Sequence, residues 1–190
     1  MKHTGTVTFE TERLICRRFL PGDLADIHSW AGDPQIQTEY GEPVYSSIEE
    51  ARNLLEKYIN SYSIPAVYRW AIIEKQSRRN IGQIALCKVY PDCATGEIEY
   101  CISRQFWGKG YAGESLAGLI AYLFSNSDFE KLEAFHRAEN HKSGRVLQKS
   151  PMHITENVER FKRLGKTVAG EVCYCITAED FKRANICKKN

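Results

Sequence analysis

Two groups of residues in this chain have types and spacings that could carry chemistry. The first is Gln105-x-x-Gly108-x-Gly110, set between a strand-like apolar segment and a segment of helical periodicity. Glycine lets a backbone approach a ligand closely. The free N–H groups of the following helix, helped by its dipole, then form an anion site whose natural guest is phosphate. A tight strand-to-helix turn that needs two glycines for conformation alone is the other reading, and the residues leave both open. A nucleotide-hydrolase phosphate loop is excluded, because Gly108-Lys109 lacks the following Ser or Thr and the earlier glycine. A dinucleotide-binding fold is excluded as well, since Gly108-x-Gly110-x-x-Gly113 follows hairpins instead of opening a βαβ array.

The second group is Glu97 and Glu99, two apart on a strand-like segment and therefore on one face. Neighbouring carboxylates raise one another's pKa, which suits a base working near neutrality. An exposed polar strand face is the alternative for each. The seven cysteines are an odd number in a chain with no export signal, so reduced thiols are expected. Cys173 and Cys175 share a strand face without forming Cys-x-x-Cys, and free cysteine usually packs as a small hydrophobe. His136 and His141 lack partner cysteines at finger spacing, so no metal site is expected.

Positioning these residues requires a recognisable series of elements. A strand is expected over 13–19, followed by a short helix capped by Asp23 that carries Leu24, Ile27 and Ala31 and stops at Gly32-Asp33-Pro34. Ser47, three before Glu50, makes a capping box for a helix with Ile48, Ala51, Leu54, Leu55, Tyr58, Ile59 and Tyr62 on one face. Strands over 68–73, 81–86 and 96–102 come next as antiparallel hairpins. Beyond the glycines, Ala112, Leu116, Leu119, Ile120, Leu123 and Phe124 repeat at helical period. A strand over 131–136, a helix over 142–149 and strands over 154–161 and 168–177 complete the reading. This order is α+β: a single mixed central sheet flanked by helices, with residues 1–190 as one domain.

With 26 basic and 24 acidic residues the formal charge is only +2, which gives no electrostatic footprint for a nucleic-acid partner. Apolar runs are far shorter than a membrane span, and the first residues lack the apolar core of a signal peptide, so a cytoplasmic protein with no membrane partner is expected.

The glycine segment resembles the acetyl-CoA pyrophosphate loop, Gln/Arg-x-x-Gly-x-Gly/Ala, of the GNAT N-acetyltransferases. Thr11-Glu12-Arg13-Leu14, Tyr68-Arg69-Trp70-Ala71-Ile72, Ile81-Gly82, Phe106-Trp107-Gly108-Lys109-Gly110-Tyr111-Ala112 and Asn140-x-x-Ser143 resemble, in order, the ribosomal-protein N-terminal (alanine/serine) acetyltransferase branch. The resemblance implies a sheet splayed between 97–102 and 131–136, with pantetheine lying in the gap. It implies that backbone groups of Cys101, Ile102 and Ser103 bond the pantetheine. It also implies that those of Gln105, Gly108, Lys109, Gly110, Tyr111 and Ala112 hold the pyrophosphate, and that Asn140 bonds the pantetheine or phosphate arm. Lys142 and Arg145 are either contacts to the nucleotide end or a solvated helix face.

For catalysis the resemblance implies Glu97 as base, acting through water. Glu99 stands where the branch has glycine; it narrows the cleft, binds a cationic substrate or faces solvent. No tyrosine follows Asn140 to protonate the leaving thiolate, and Ser143 is read either as hydrogen-bonding the sulfur or as a helix cap. Lys149-Ser150-Pro151-Met152 replaces the branch's Lys-x-Gly-Phe, which alters the surroundings of the acyl end.

The implied activity transfers acetyl from acetyl-CoA to a primary amine, with no metal. α-Amines titrate near 7.7–8.0 and lysine near 10.4, so at neutral pH an α-amine is a few hundred times more available. That favours a protein or peptide N-terminus, such as a ribosomal protein's, over polyamines, aminoglycosides or amino-acid-like metabolites. A non-catalytic acyl-CoA-binding module is the reading of another class. The assembly is read as a monomer or a homodimer. Trp30, Tyr40, Tyr45, Tyr58 and Tyr62 either line a substrate pocket or pack.

Overall fold

Regular structure largely follows the hydrophobic periodicity in the computed structural model, which describes residues 1–187. Among the described residues the strands are β1 (Phe9–Glu10), β2 (Leu14–Arg17), β3 (Arg69–Glu74), β4 (Asn80–Tyr90), β5 (Thr95–Ile102), β6 (Lys131–Arg137), β7 (His153–Ile154) and β8 (Glu171–Thr177). The helices are α1 (Leu24–Ala31), α2 (Pro34–Tyr40), α3 (Ile48–Ser61), α4 (Tyr111–Asn126), α5 (His141–Gln148), α6 (Glu159–Leu164) and α7 (Ala178–Cys187). The strands form one eight-stranded sheet in the order β1-β2-β3-β4-β5-β6-β8-β7. It is mixed: β1–β2, β2–β3, β3–β4, β6–β8 and β7–β8 are antiparallel, and β5–β6 is parallel. Among the described residues no helix is long and apolar enough to cross a membrane. The chain forms two compact units, residues 4–85 with 100–118, and residues 1–3 with 86–99 and 119 onward; β4, β5 and α4 run through both.

In the first unit, Ser47 and Glu50 form the expected capping box, with Glu50 N–H donating to Ser47 Oγ at 3.1 Å and Ser47 N–H to Glu50 Oε2 at 2.9 Å. The helix they start buries Ala51, Leu54 and Leu55 against Phe19, Ile27, Trp30, Ala71 and Ile73. Ile48, expected on that face, is exposed because it occupies the first turn. Trp30 is in this core, and Tyr40, Tyr45, Tyr58 and Tyr62 pack on it, which is the packing role for all five aromatics. Asp23 does not cap α1 through its side chain; its carboxylate accepts from Leu20 N–H and pairs with Arg17 at 2.7 Å. Pro34, read as a stop, starts α2 at its first position, with Asp33 Oδ1 accepting from Gln35 N–H.

In the second unit β6 pairs with β8 from Lys131↔Thr177 to Arg137↔Glu171. The strand expected over 154–161 is corrected here: only His153–Ile154 pairs, and Glu159–Leu164 is helical. Val158 has no side-chain cap to offer, but both oxygens of Glu133 accept the Glu159 N–H at 3.0 Å, so a carboxylate on β6 completes the helix start. Val158 and Phe161 then pack on Cys173. Residues 168–170 precede β8 as a turn, and α7, unforeseen in the sequence, follows it. Parallel pairing of β5 on β6 runs from Thr95↔Lys131 to Ile98↔Ala134; no later pair continues it among the described residues, although both strands run on.

Candidate functional site

The glycine loop belongs wholly to the first unit. After β5, Ser103 N–H donates to Ile81 C=O at 2.7 Å and Phe106 N–H to Ser103 C=O at 2.9 Å, so the backbone groups of Ser103 are engaged within the chain. Trp107 Nε1–H donates to Ile102 C=O at 2.7 Å and pins the turn to the strand. Gly108 and Gly110 then adopt φ of +75° and +83°, a region L-residues rarely enter. A Cβ at Gly108 would meet nothing within 4 Å, and one at Gly110 only the Arg13 guanidinium. Conformation, and not crowding, therefore requires both glycines, and the space above them is open. The helix begins at Tyr111, and Glu114 N–H makes its bond back to Gly110 C=O at 3.0 Å. The N–H groups of Tyr111, Ala112 and Gly113 are the first-turn donors that a helix leaves without a partner inside itself. Gln105 and Lys109 are exposed, with the Lys109 ammonium 4.9 Å from the centre of the Phe106 ring.

A brace holds this loop. Thr11 Oγ1–H, Arg13 N–H and Arg13 Nε–H donate to Glu114 at 2.5, 2.8 and 2.6 Å. The same guanidinium donates to Lys109 C=O at 3.0 Å and lies over the Tyr111 ring, whose hydroxyl makes a short bond to Glu74. Burial alone would raise the Glu114 carboxyl, but the Thr11 and Arg13 donors bring it below its ordinary value. Glu74 is lowered by hydrogen bonds from Ser77 and Tyr111. Residue types gave no sign of the brace. Thr11-Glu12-Arg13-Leu14 was legible only as a resemblance, and its function becomes visible in these contacts.

The second unit holds the carboxylates and the α5 start. Glu97 is buried, which removes the exposed-strand reading for it. Its oxygens accept from Cys87 Sγ–H at 3.3 Å and Tyr90 O–H at 3.4 Å, with Arg160 at 3.8 Å. The Tyr90 hydroxyl is pushed up to about 12 by burial and by the Glu97 charge. Glu99 is half-buried. Glu133, not singled out in the sequence, sits beside Glu97 in the parallel register, and burial raises it against the opposing pull of Lys131 at 2.5 Å. Asn140 is the residue that caps α5: its Oδ1 accepts from Ser143 N–H at 3.1 Å. Asn140 is thus the N-cap residue of α5. Lys142 and Arg145 lie on the exposed face of this helix. The six cysteines whose side chains are described are free thiols; Cys187, the seventh, lies outside the described side chains. Among the described residues no group of three or more His, Cys, Asp or Glu could hold a metal ion.

A sequence profile described as "Acetyltransferase (GNAT) domain" matches residues 13–153. The chain belongs to the GNAT acetyltransferase family. It is 28% identical over 141 residues to the uncharacterized N-acetyltransferase p20 of Bacillus licheniformis, covering 74% of this chain and 79% of that one. Among solved structures it resembles a ribosomal-protein-S5-alanine acetyltransferase of Vibrio fischeri, with TM-score 0.72, 16% identity and coverage of 92% and 98%. It also resembles a spermidine N-acetyltransferase of Vibrio cholerae in complex with CoA and spermine, with TM-score 0.71, 20% identity and coverage of 90% and 99%. These two likenesses establish the fold.

GNAT enzymes take acetyl-CoA, and the loop of this GNAT acetyltransferase fits that cosubstrate: two left-handed glycines under open space, a helix start and an exposed lysine suit a pyrophosphate. The brace carries a pH signature. Carboxyls lowered on folding contribute stability above the ordinary carboxylate value, and lose it as pH falls through the lowered one. The Arg13 Nε–H resonance reports the Glu114 contact directly. Its shift is expected to hold from pH 7 to about 5 and to move only below about pH 4. A resonance that already moves near pH 6 would show that Glu114 does not govern it.

Proposed function

We propose that this GNAT acetyltransferase moves the acetyl group of acetyl-CoA to a primary amine, and that the amine is the α-amine of a protein or peptide N-terminus. The braced loop carries the reading of the cosubstrate: Gly108 and Gly110 turn the backbone of residues 108–112, with Lys109 and the first N–H groups of α4, toward a pyrophosphate. Backbone groups of Cys101 and Ile102 receive the pantetheine, while the Ser103 N–H is already used within the chain. Asn140, whose Oδ1 caps α5, contacts the pantetheine or phosphate arm from the start of that helix. The neutral amine attacks the thioester carbonyl, Glu97 takes its proton directly or through a water, and the carbon–sulfur bond breaks to release thiolate. Ser143 hydrogen-bonds the sulfur. Glu99 borders the acceptor.

The choice of an α-amine rests on its greater neutral fraction. It is supported by likeness to a ribosomal-protein-S5-alanine acetyltransferase, while the likeness to a spermidine acetyltransferase makes polyamines the competing acceptors. Reduced thiols agree with a cytoplasmic setting, in which the chain acts as a monomer or a homodimer.

The test incubates the protein with acetyl-CoA and follows free thiol. Peptides beginning with Ala or Ser are expected to release thiol well above buffer hydrolysis and faster than spermidine or an aminoglycoside. Faster release with spermidine overturns the N-terminal assignment. Calorimetric binding of coenzyme A without release from any amine would make the protein an acyl-CoA-binding module.

A further inference from the structure

We infer that the acceptor amine carries an anionic group, a carboxylate or a phosphate, held in a cationic cavity next to Glu97; this rests on the acetyl-transfer reading above. The cavity, about 220 Å³, lies within the second unit and is lined by Lys88, Tyr90, Arg160, Arg163 and Leu164. Three of these five residues are cations and none is acidic. Ligand pockets for whole drug-sized molecules run to about 300–1,000 Å³, so this one suits a single side chain or a small amino acid.

Two of its walls also touch Glu97. Tyr90 donates to Glu97 Oε2 at 3.4 Å and Arg160 stands 3.8 Å from Oε1. Whatever enters the cavity is therefore one side chain from the proposed base. The charges behind the walls are asymmetric. Arg160 is held by both oxygens of Glu171 at 2.9 and 3.0 Å and stacks on Phe135, which fixes it as a spacer between the cavity and Glu97. Arg163 lies over the Tyr90 ring and shares its guanidinium between Asp92 at 2.7 Å and Glu159 at 3.9 Å. Asp92 is exposed, so its hold on Arg163 is screened and open to exchange for a bound anion. Lys88 has no ion-pair partner among the described residues. An anion placed between Lys88 and Arg163 gains a new ion pair with Lys88 and competes with Asp92 for Arg163, whereas the second ammonium of a polyamine meets Lys88 as an unpaired like charge, Arg160 and Arg163 being offset by their carboxylates.

The experiment uses the full chain and compares amines that differ in one charge: C-terminally amidated Ser-Glu-Gln with Ser-Gln-Gln, phenylalanine with phenethylamine, and spermidine alone. The anionic member of each pair is expected to have a kcat/KM about tenfold higher, through KM. A stronger effect in the peptide pair identifies an acidic N-terminal segment as the source of the anion, and in the phenylalanine pair a free amino acid. Lys88→Met and Arg163→Gln are expected to bring the ratio toward one by raising KM for the anionic member. Equal or faster turnover of neutral amines or spermidine overturns the inference, as does a ratio that neither substitution moves. A direct arm titrates glutarate while following the Nε–H resonances of Arg160 and Arg163. Saturable shifts that Lys88→Met weakens support the site, and unmoved resonances overturn it. Glutarate binding without thiol release from any amine would overturn acetyl transfer while leaving the anion site in place.

Discussion

Gly82→Ala is expected to cost about 2–5 kcal/mol of stability, or roughly 5–20 °C in melting temperature. Gly82 lies on β4 at φ +155°, and a Cβ there would stand 2.1 Å from the Cys101 carbonyl oxygen, with the Cys101 carbon and the Ile102 Cα both at 3.0 Å. No side-chain rotation relieves that contact, because every atom it meets is backbone. The strand carrying Cys101 and Ile102 would have to withdraw, and the bond from Ser103 N–H to Ile81 C=O would go with it. Gly108→Ala makes the natural comparison. Nothing lies within 4 Å of its Cβ, so only the positive φ resists the change, at about 1 kcal/mol. Thermal denaturation should therefore show a large fall for Gly82→Ala and a small one for Gly108→Ala. Calorimetry with coenzyme A should show weakened binding for the loop variant. A Gly82→Ala protein melting within 2 °C or so of its parent would mean that β4 and β5 do not approach as closely as described.

Glu97→Gln is expected to lower turnover about 100-fold, the low end of what a positioned general base contributes, with coenzyme A affinity nearly unchanged. The substitution removes a charge and a proton acceptor while keeping the side chain's shape. Tyr90 can still donate to the amide oxygen, and Arg160 retains Glu171, so the fold should hold to within a few degrees. Because Glu97 is buried against Tyr90, Cys87 and Arg160, a purely structural role must be told apart from proton transfer. The pH profile does so. Loss of a base removes the limb of kcat/KM that rises with its ionisation, whereas loosened packing lowers the whole curve. Unchanged turnover from pH 6 to 9 would remove Glu97 from the base role.

Much of the framework was legible because its signals are local. Ser47 and Glu50 announced α3, short β-branched and aromatic runs between polar turns announced β3 and β5, and the Gly108-x-Gly110 spacing marked the loop whose dihedral angles now prove to require glycine. The missed elements had ambiguous or distant signals. Asp33-Pro34 reads equally as a stop and as a cap followed by a favoured first helical residue, and it is the second. The spacing of Val158, Phe161 and Leu164 was available as a helical signal for α6, but the groups that satisfy its start come from Glu133, on a strand earlier in the chain.

By itself, then, the sequence determined what depends on neighbouring residues: the α+β order, the glycine loop and the capping box of α3, since backbone sterics and short-range hydrogen bonds act over a few positions. Tertiary structure decided which charges meet. Arg13 braces a loop through Glu114, 101 residues away, and Arg160 stands between Glu97 and a cationic cavity. A carboxylate and a guanidinium attract wherever they come together, and only the folded path of the chain settles which pairs do.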